Sequence, residues 1–132
     1  VKMQRHVQKF NDQLRTFART LAPAKVAALE RKVALEGLRR LVLKTPVDTG
    51  RARGGWQVVI GRFPQGPTDR LDPTGEGTIQ AGAGVIAAIR TPRRCVLSNN
   101  VEYIEKLEHG GSRQAPDGML RRTVDELNAM FA

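Results

Sequence analysis

Residues 44–61 read Lys-Thr-Pro-Val-Asp-Thr-Gly-Arg-Ala-Arg-Gly-Gly-Trp-Gln-Val-Val-Ile-Gly, and within that stretch the chain changes character twice. Lys44-Thr45-Pro46 stops a helix, because the residue before a proline avoids helical angles. Residues 45–55 are turn-forming. Trp56 to Gly61 is a strand candidate, rich in β-branched and aromatic residues.

Upstream of this junction the pattern is helical. From Ala24 to Lys44, the residues Val26, Leu29, Val33, Leu38, Leu41 and Val42 give one apolar face, and Glu30, Arg31, Lys32 and Glu36 lie largely outside it. Pro23 separates this helix from an earlier one over residues 1–21. There, Met3, Val7, Phe10, Leu14, Phe17 and Leu21 form a one-sided stripe at spacings of four and three, with Lys2, Arg5, Lys9, Arg15 and Arg19 away from it. The stripe is expected to meet the domain's own core, with a neighbouring subunit as the alternative.

Downstream, residues 62–75 hold three prolines and two glycines and read as a long loop. Residues 76–89, with Ile79, Val85, Ile86 and Ile89, read as a helix capped near Thr74 or Thr78, although its glycines each cost about 1 kcal/mol relative to alanine. Arg93 to Ser98 is a second strand centred on Cys95-Val96-Leu97 and ended by Asn99-Asn100. Val101 to Glu108 reads as a short helix broken by His109-Gly110-Gly111. The last helix is expected from Pro116, which suits a first helical position, to Phe131, with Met119, Leu120, Thr123, Val124, Leu127 and Phe131 along one side.

The expected fold is therefore α+β: long N-terminal helices, a small antiparallel sheet with interleaved helices, and a C-terminal helix. The 132 residues fit one domain over 1–132, with residues 1–22 as the N-terminal helix. Two strands are too few to stand alone, so either further strands lie within 58–75 or helices and neighbouring subunits cover the sheet. With hydrophobic residues at 40% and only one Trp, one Tyr and four Phe, the core is built mainly of Leu, Val, Ile and Ala.

The net charge of +9 attracts nucleic acid, acidic protein faces or anionic membrane. The basic residues are dispersed, and Arg39-Arg40, Arg93-Arg94 and Arg121-Arg122 are too short to be a nucleic-acid tail. No apolar run approaches a membrane span, and the basic N-terminus lacks the apolar core of an export signal. With one cysteine, Cys95, no disulfide forms within the chain.

Three motifs invite a chemical reading. Asp48-Thr49-Gly50 matches the short signature of aspartic proteases, in which two carboxylates share a proton. Here it follows a helix exit rather than an apolar strand, and two arginines beside it favour the ionised form. The ordinary reading is a turn in which Asp48 caps backbone N–H groups and Gly50 takes positive φ. Gly75 to Gly84 is glycine-rich but lacks the Gly-Lys-Ser/Thr ending of a phosphate loop, so a flexible or closely packed segment is expected. Glu102, Glu105 and Glu108, three apart, read as the surface of a short helix, with docking of a basic partner as the alternative. His6 and His109 are too far apart for a local metal motif. His109 and Cys95 are free to meet in space, but nothing requires it. No catalytic residues, cofactor or metal are expected.

Three segments carry a resemblance. Thr45 to Trp56, Leu97 to Gly110 (Leu-Ser-Asn-Asn-Val-Glu-Tyr-Ile-Glu-Lys-Leu-Glu-His-Gly) and Gln114 to Leu120 (Gln-Ala-Pro-Asp-Gly-Met-Leu) resemble, in this order, the tail-completion and head-to-tail joining proteins of the neck of long-tailed bacteriophages. His109 departs from the pattern, where an aromatic is usual. The resemblance implies a structural virion protein and no enzyme. Its motif residues would be Pro46, Asp48, Thr49, Gly50, Arg51, Arg53, Trp56, Asn99, Asn100, Tyr103, Glu108, Gly110 and Pro116. It further implies a homo-oligomeric ring of six copies at the head-tail junction or the top of the tail, formed in the host cytoplasm and then part of the virion. Expected partners are other neck and tail proteins and the DNA that passes through the lumen without sequence readout. Arg51 and Arg53 would pair with acidic groups on a partner, and the 62–75 loop would reach a neighbour. The alternative is a basic, non-sequence-specific nucleic-acid-binding protein. It accounts for the charge but not for the three segments, and no aromatic stacking platform is visible.

Overall fold

The computed structural model describes residues 2–131, with side chains from Gln4 onward. Met3 and Lys2, read as the first member and flank of the N-terminal stripe, have side chains outside the described residues. The elements are α1 (Lys2–Ala18), α2 (Pro23–Lys44), α3 (Arg51–Gly54), β1 (Trp56–Ile60), α4 (Glu76–Ala87), β2 (Cys95–Asn99), α5 (Ile104–Glu108) and α6 (Leu120–Phe131). The class is α+β, with a helix at each end and one antiparallel sheet of two strands.

Helix α2 is the spine. Pro23 occupies its first turn, where a missing N–H costs nothing. Ala27, Ala34, Leu38, Leu41 and Val42 are buried along one face and pack with Trp56 and Val58 of β1, Ile86 and Ile89 from α4, and Ala115 and Met119. β1 and β2 pair from Trp56↔Asn99 to Ile60↔Cys95. α4 follows β1 through the long loop and lies against both α2 and β1. The glycine-rich segment is closely packed at Gly75 and Gly82, where a Cβ would overlap Val42 and Leu38, whereas Gly84 faces open space.

A second, smaller cluster holds the two ends of the chain together. Phe10 of α1 is buried with Val124 and Leu127 of α6, and Val7, Leu14, Val33 and Phe131 close around them. His6 Nε2 lies 2.7 Å from Asp125 Oδ1 across the same contact. The stripe is therefore intramolecular through Leu14, but not beyond it: Phe17 is 57% exposed. α1 ends at Ala18, short of the expected residue 21, with Leu21 in the turn before α2.

Other boundaries also moved. Residues 61–75 form no strand; α2 and α4 lie against the sheet, and the loop is tied to it through the Pro64 and Gly66 carbonyls. β2 begins at Cys95 rather than Arg93 and includes Asn99. Val101–Tyr103 form a turn before α5, which starts at Ile104. The largest shift is at α6. Pro116 is not its first residue but lies inside a turn closed by the Gly118 amide donating to the Ala115 carbonyl, 3.1 Å. Gly118 has φ of +80°, outside the helical region, so the helix can only begin after it.

Candidate functional site

The segment that opens the sequence argument folds into a tight knot at the end of α2. The Thr45 hydroxyl donates to the Leu41 carbonyl at 2.6 Å and accepts the Trp56 indole N–H at 2.8 Å, with all of Thr45 buried. The strand's first side chain is in this way tied to the helix terminus. We expect Thr45→Val to destabilise the chain by about 1–3 kcal/mol, because a buried indole N–H loses its acceptor while side-chain volume is kept. Trp56 is the one tryptophan, so urea unfolding followed by its emission reads this directly. An unchanged midpoint would mean the indole finds another partner.

Pro46 is buried behind this tie. Gly50 turns the chain with φ of +88°, a region that costs side-chain-bearing residues strain. A Cβ there would also stand 2.6 Å from Pro73 N. Its carbonyl accepts two amides, from Gly54 at 2.8 Å and from Asp72 at 3.0 Å. Positive φ at Gly50 agrees with the turn reading, but the cap does not. Thr49 Oγ1, not Asp48, accepts the Arg51 amide at 3.3 Å, and the exposed Asp48 side chain makes no hydrogen bond among the described residues.

The two arginines expected to reach a partner are engaged internally. Arg53 donates to the carbonyls of Leu43 at 3.1 Å, Thr45 at 2.9 Å and Pro73 at 2.9 Å. A cation there meets the unpaired carbonyls and negative end of α2 and clamps the far end of the loop onto it. Arg51 bridges Glu102 at 2.8 Å and Asp69 at 3.3 Å and lies 5.9 Å from the centre of the half-exposed Tyr103 ring. The Glu102 carboxyl is held below its ordinary range by its own backbone amide and by Arg51.

The asparagines stitch the loop to the strands. Asn99 Nδ2 donates to the Ala52 carbonyl at 2.8 Å, and its Oδ1 accepts the Val101 amide at 3.1 Å. Asn100 Nδ2 donates to the Pro64 carbonyl at 3.0 Å, and Gln57 Nε2 reaches the Gly66 carbonyl at 2.6 Å. Gln114, from the third segment, both accepts from the Val47 amide at 2.9 Å and donates to its carbonyl at 3.0 Å.

Glu108 corrects the surface reading of the three glutamates. Glu102 and Glu105 are exposed, but Glu108 is buried and its carboxylate accepts the amides of Met119, Leu120 and Arg121 at the start of α6. Gly110 follows α5 at φ of +86°, and the Gly111 amide closes back on the Lys106 carbonyl at 2.9 Å. Cys95 packs against the main core. Burial, and then the Glu30 carboxylate, push its thiol up to about 11, while His109 is exposed.

Sequence reading missed Asp72, which organises the start of α4. Its Oδ2 accepts the Thr78 amide at 2.7 Å and the Thr78 hydroxyl at 2.6 Å, and its Oδ1 accepts the Gly75 amide at 3.1 Å. Burial opposes the ionised form, but bonds from Thr78, Gly75 and Thr74 outweigh it and hold the carboxyl below its ordinary 3.8. A lowered folded-state pKa gives stability that is present above the unfolded value and lost as pH falls through the folded one. Asp72→Asn should therefore flatten the fall in stability below about pH 4, measured by urea midpoints from pH 7 to pH 2. An identical acid profile in the variant would refute this role for Asp72.

Among the described residues, no three His, Cys, Asp or Glu side chains are gathered as a metal site, and no helix is long and apolar enough to cross a membrane. Compared with known proteins, the chain matches no family model, no curated protein and no solved structure.

Proposed function

We propose that the chain is a structural subunit of a long-tailed bacteriophage that assembles into a ring at the head-to-tail junction or the top of the tail, completing the tail and joining it to the DNA-filled head. The observation that carries this reading is convergence. The three segments of the resemblance lie far apart in the sequence, yet side chains bind them into one unit, through Asn99 to Ala52, Arg51 to Glu102 and Gln114 to Val47, bonds that span 47, 51 and 67 positions. That is what a shared family fold requires of a shared pattern. Within the unit, Pro46, Gly50, Arg53 and Trp56 hold the chain together, while Asp48 points to solvent. In a ring, different patches meet head to tail, and exposed side chains such as Asp48, Phe17 and Leu71 are available for such contacts. Partners are copies of the chain, neighbouring neck and tail proteins, and DNA in the lumen. A non-sequence-specific nucleic-acid-binding protein is the second reading, supported by Arg62, Arg90, Arg93 and Arg94 near one end of the sheet, exposed and without an ion pair among the described residues.

Electron microscopy of particles, or of purified tails with the protein added, tests the proposal. A closed ring between portal and tail tube is the expected result. Absence from the particle, with the protein recovered on free DNA, would overturn it.

A further inference from the structure

The two strands end in a cluster of arginines. Ile60 pairs with Cys95, and the Gly61 amide donates to the Arg94 carbonyl at 2.8 Å. Arg62 therefore leaves β1 where Arg93 and Arg94 enter β2, and Arg90 precedes them by three residues. All four side chains are exposed. Among the described residues, none of the four makes an ion pair. Elsewhere some cations are committed, Arg40 and Lys44 to Glu126, Arg51 to Glu102 and Arg122 to Asp117, while others, Lys9, Arg19, Lys25 and Arg39 among them, are exposed on the helices and the turn between them rather than gathered at a strand end.

The backbone beneath these arginines is fixed while their charges are not neutralised. Glu30, the carboxylate that reaches this end, accepts the backbone amide of Arg93 at 3.2 Å rather than a guanidinium. The Ile89 carbonyl, next to Arg90, is held by Arg31. The Arg94 guanidinium stacks 4.8 Å from the centre of the Phe63 ring, and that ring is 59% exposed. Stacking on an aromatic face orients the planar guanidinium and leaves its N–H edge outward, the presentation that suits a phosphate oxygen. A group of neighbouring cations whose guanidiniums have no carboxylate partner among the described residues matches a polyanion whose charges recur at short intervals.

We propose that Arg62, Arg90, Arg93 and Arg94, with Phe63 as a stacking support, form a contact surface for the phosphate backbone of duplex DNA. The choice of duplex DNA rests on the proposed place at the head-to-tail junction, whereas the surface itself does not depend on it. Contact is to phosphates, so it carries no sequence preference. In a ring, this end of the sheet would face the lumen.

The test is fluorescence anisotropy of the chain with a labelled mixed-sequence DNA duplex across a salt series. Replacing all four arginines by alanine should weaken binding on the order of 10- to 100-fold and reduce the salt slope by about three to four. A control with Lys9, Arg19, Lys25 and Arg39 replaced by alanine removes the same charge from other exposed positions, and should keep most of the affinity. Trp56 emission checks that each variant folds. Should the alanine variant misfold, the pair Arg90→Glu and Arg93→Glu, whose side chains make no hydrogen bond or ion pair among the described residues, should show the same loss. Equal losses in patch and control variants would overturn the proposal, leaving net charge alone. So would unchanged DNA binding with an altered oligomeric state, which would make this end a contact between subunits. Neither result bears on where the protein sits in the particle, which the microscopy decides separately.

Discussion

Replacing Glu108 by alanine is expected to lower the unfolding free energy by about 2–4 kcal/mol. The first amides of a helix have no acceptors within it, and the residue just before the helix normally supplies one. Here the acceptor arrives from α5. Glu108 Oε1 takes the amides of Met119 at 2.9 Å and Leu120 at 2.7 Å, and Oε2 takes that of Arg121 at 3.2 Å. Met119 is 1% exposed, so its amide has no water to turn to once the carboxylate is gone. Negative charge at this end also meets the helix dipole favourably. Gly118 allows the approach: a Cβ there would run into the Glu108 carbonyl and lie 2.6 Å from Oε2. Glu108→Gln keeps an acceptor oxygen and should recover about half of the loss. Urea unfolding of the three proteins gives the comparison. A loss below about 0.5 kcal/mol in the alanine variant, the level of an ordinary surface substitution, would mean α6 is capped by something else.

Leu38→Ala should cost about 3 kcal/mol, within the range for fully buried leucines, since Leu38 is 0% exposed at the centre of the main core. The more telling result concerns its neighbour. A Cβ at Gly82 would overlap Leu38 Cδ2 and lie 2.8 Å from Val58 Cγ2, so Gly82→Ala alone should overpack the α2–α4 contact and cost about 1–3 kcal/mol. Together the two changes draw on one space, because the new methyl enters volume the leucine has left. The double variant should be at least about 1 kcal/mol more stable than the sum of the single losses. Strict additivity, measured by the same unfolding experiment, would show that the helices separate rather than interlock.

Where the sequence was readable, a local rule applied. The spacing of Leu38, Leu41 and Val42 marked the buried face of α2, Pro46 marked its end, and the aromatic and β-branched run from Trp56 marked β1. What stayed hidden depends on contacts between distant residues. Glu108 looks like Glu102 and Glu105 on spacing alone; only the return of the chain at Met119 distinguishes it. Pro116 satisfies the rule for a helix start, but Gly118, two residues later, takes a backbone angle no helix accepts. Asp48 and Thr49 are equally good turn formers, and the geometry of the knot gave the cap to Thr49. Gln114 had no local signal at all. Of the motif residues, Arg51 and Arg53 were expected, from the ring the resemblance implies, to pair with acidic groups on a partner, and both have acceptors within the chain.

The 62–75 loop alternates along its length, with Phe63, Gln65, Pro67, Asp69, Leu71 and Pro73 outward and the residues between them half-buried. Its carbonyls are held from outside, Pro64 and Gly66 by Asn100 and Gln57 and Pro73 by Arg53, while its inward side chains hold it from within, Thr68 and Arg70 on the Gly54 carbonyl and Asp72 on Gly75 and Thr78. The information that shapes this segment is therefore divided between the loop's inward side chains and residues elsewhere in the chain, and among the described residues the outward Gln65, Pro67 and Leu71 make no side-chain hydrogen bond or ion pair. Over evolutionary time such a loop can exchange one set of surface residues for another as its neighbours change, while the path of its backbone is inherited unaltered.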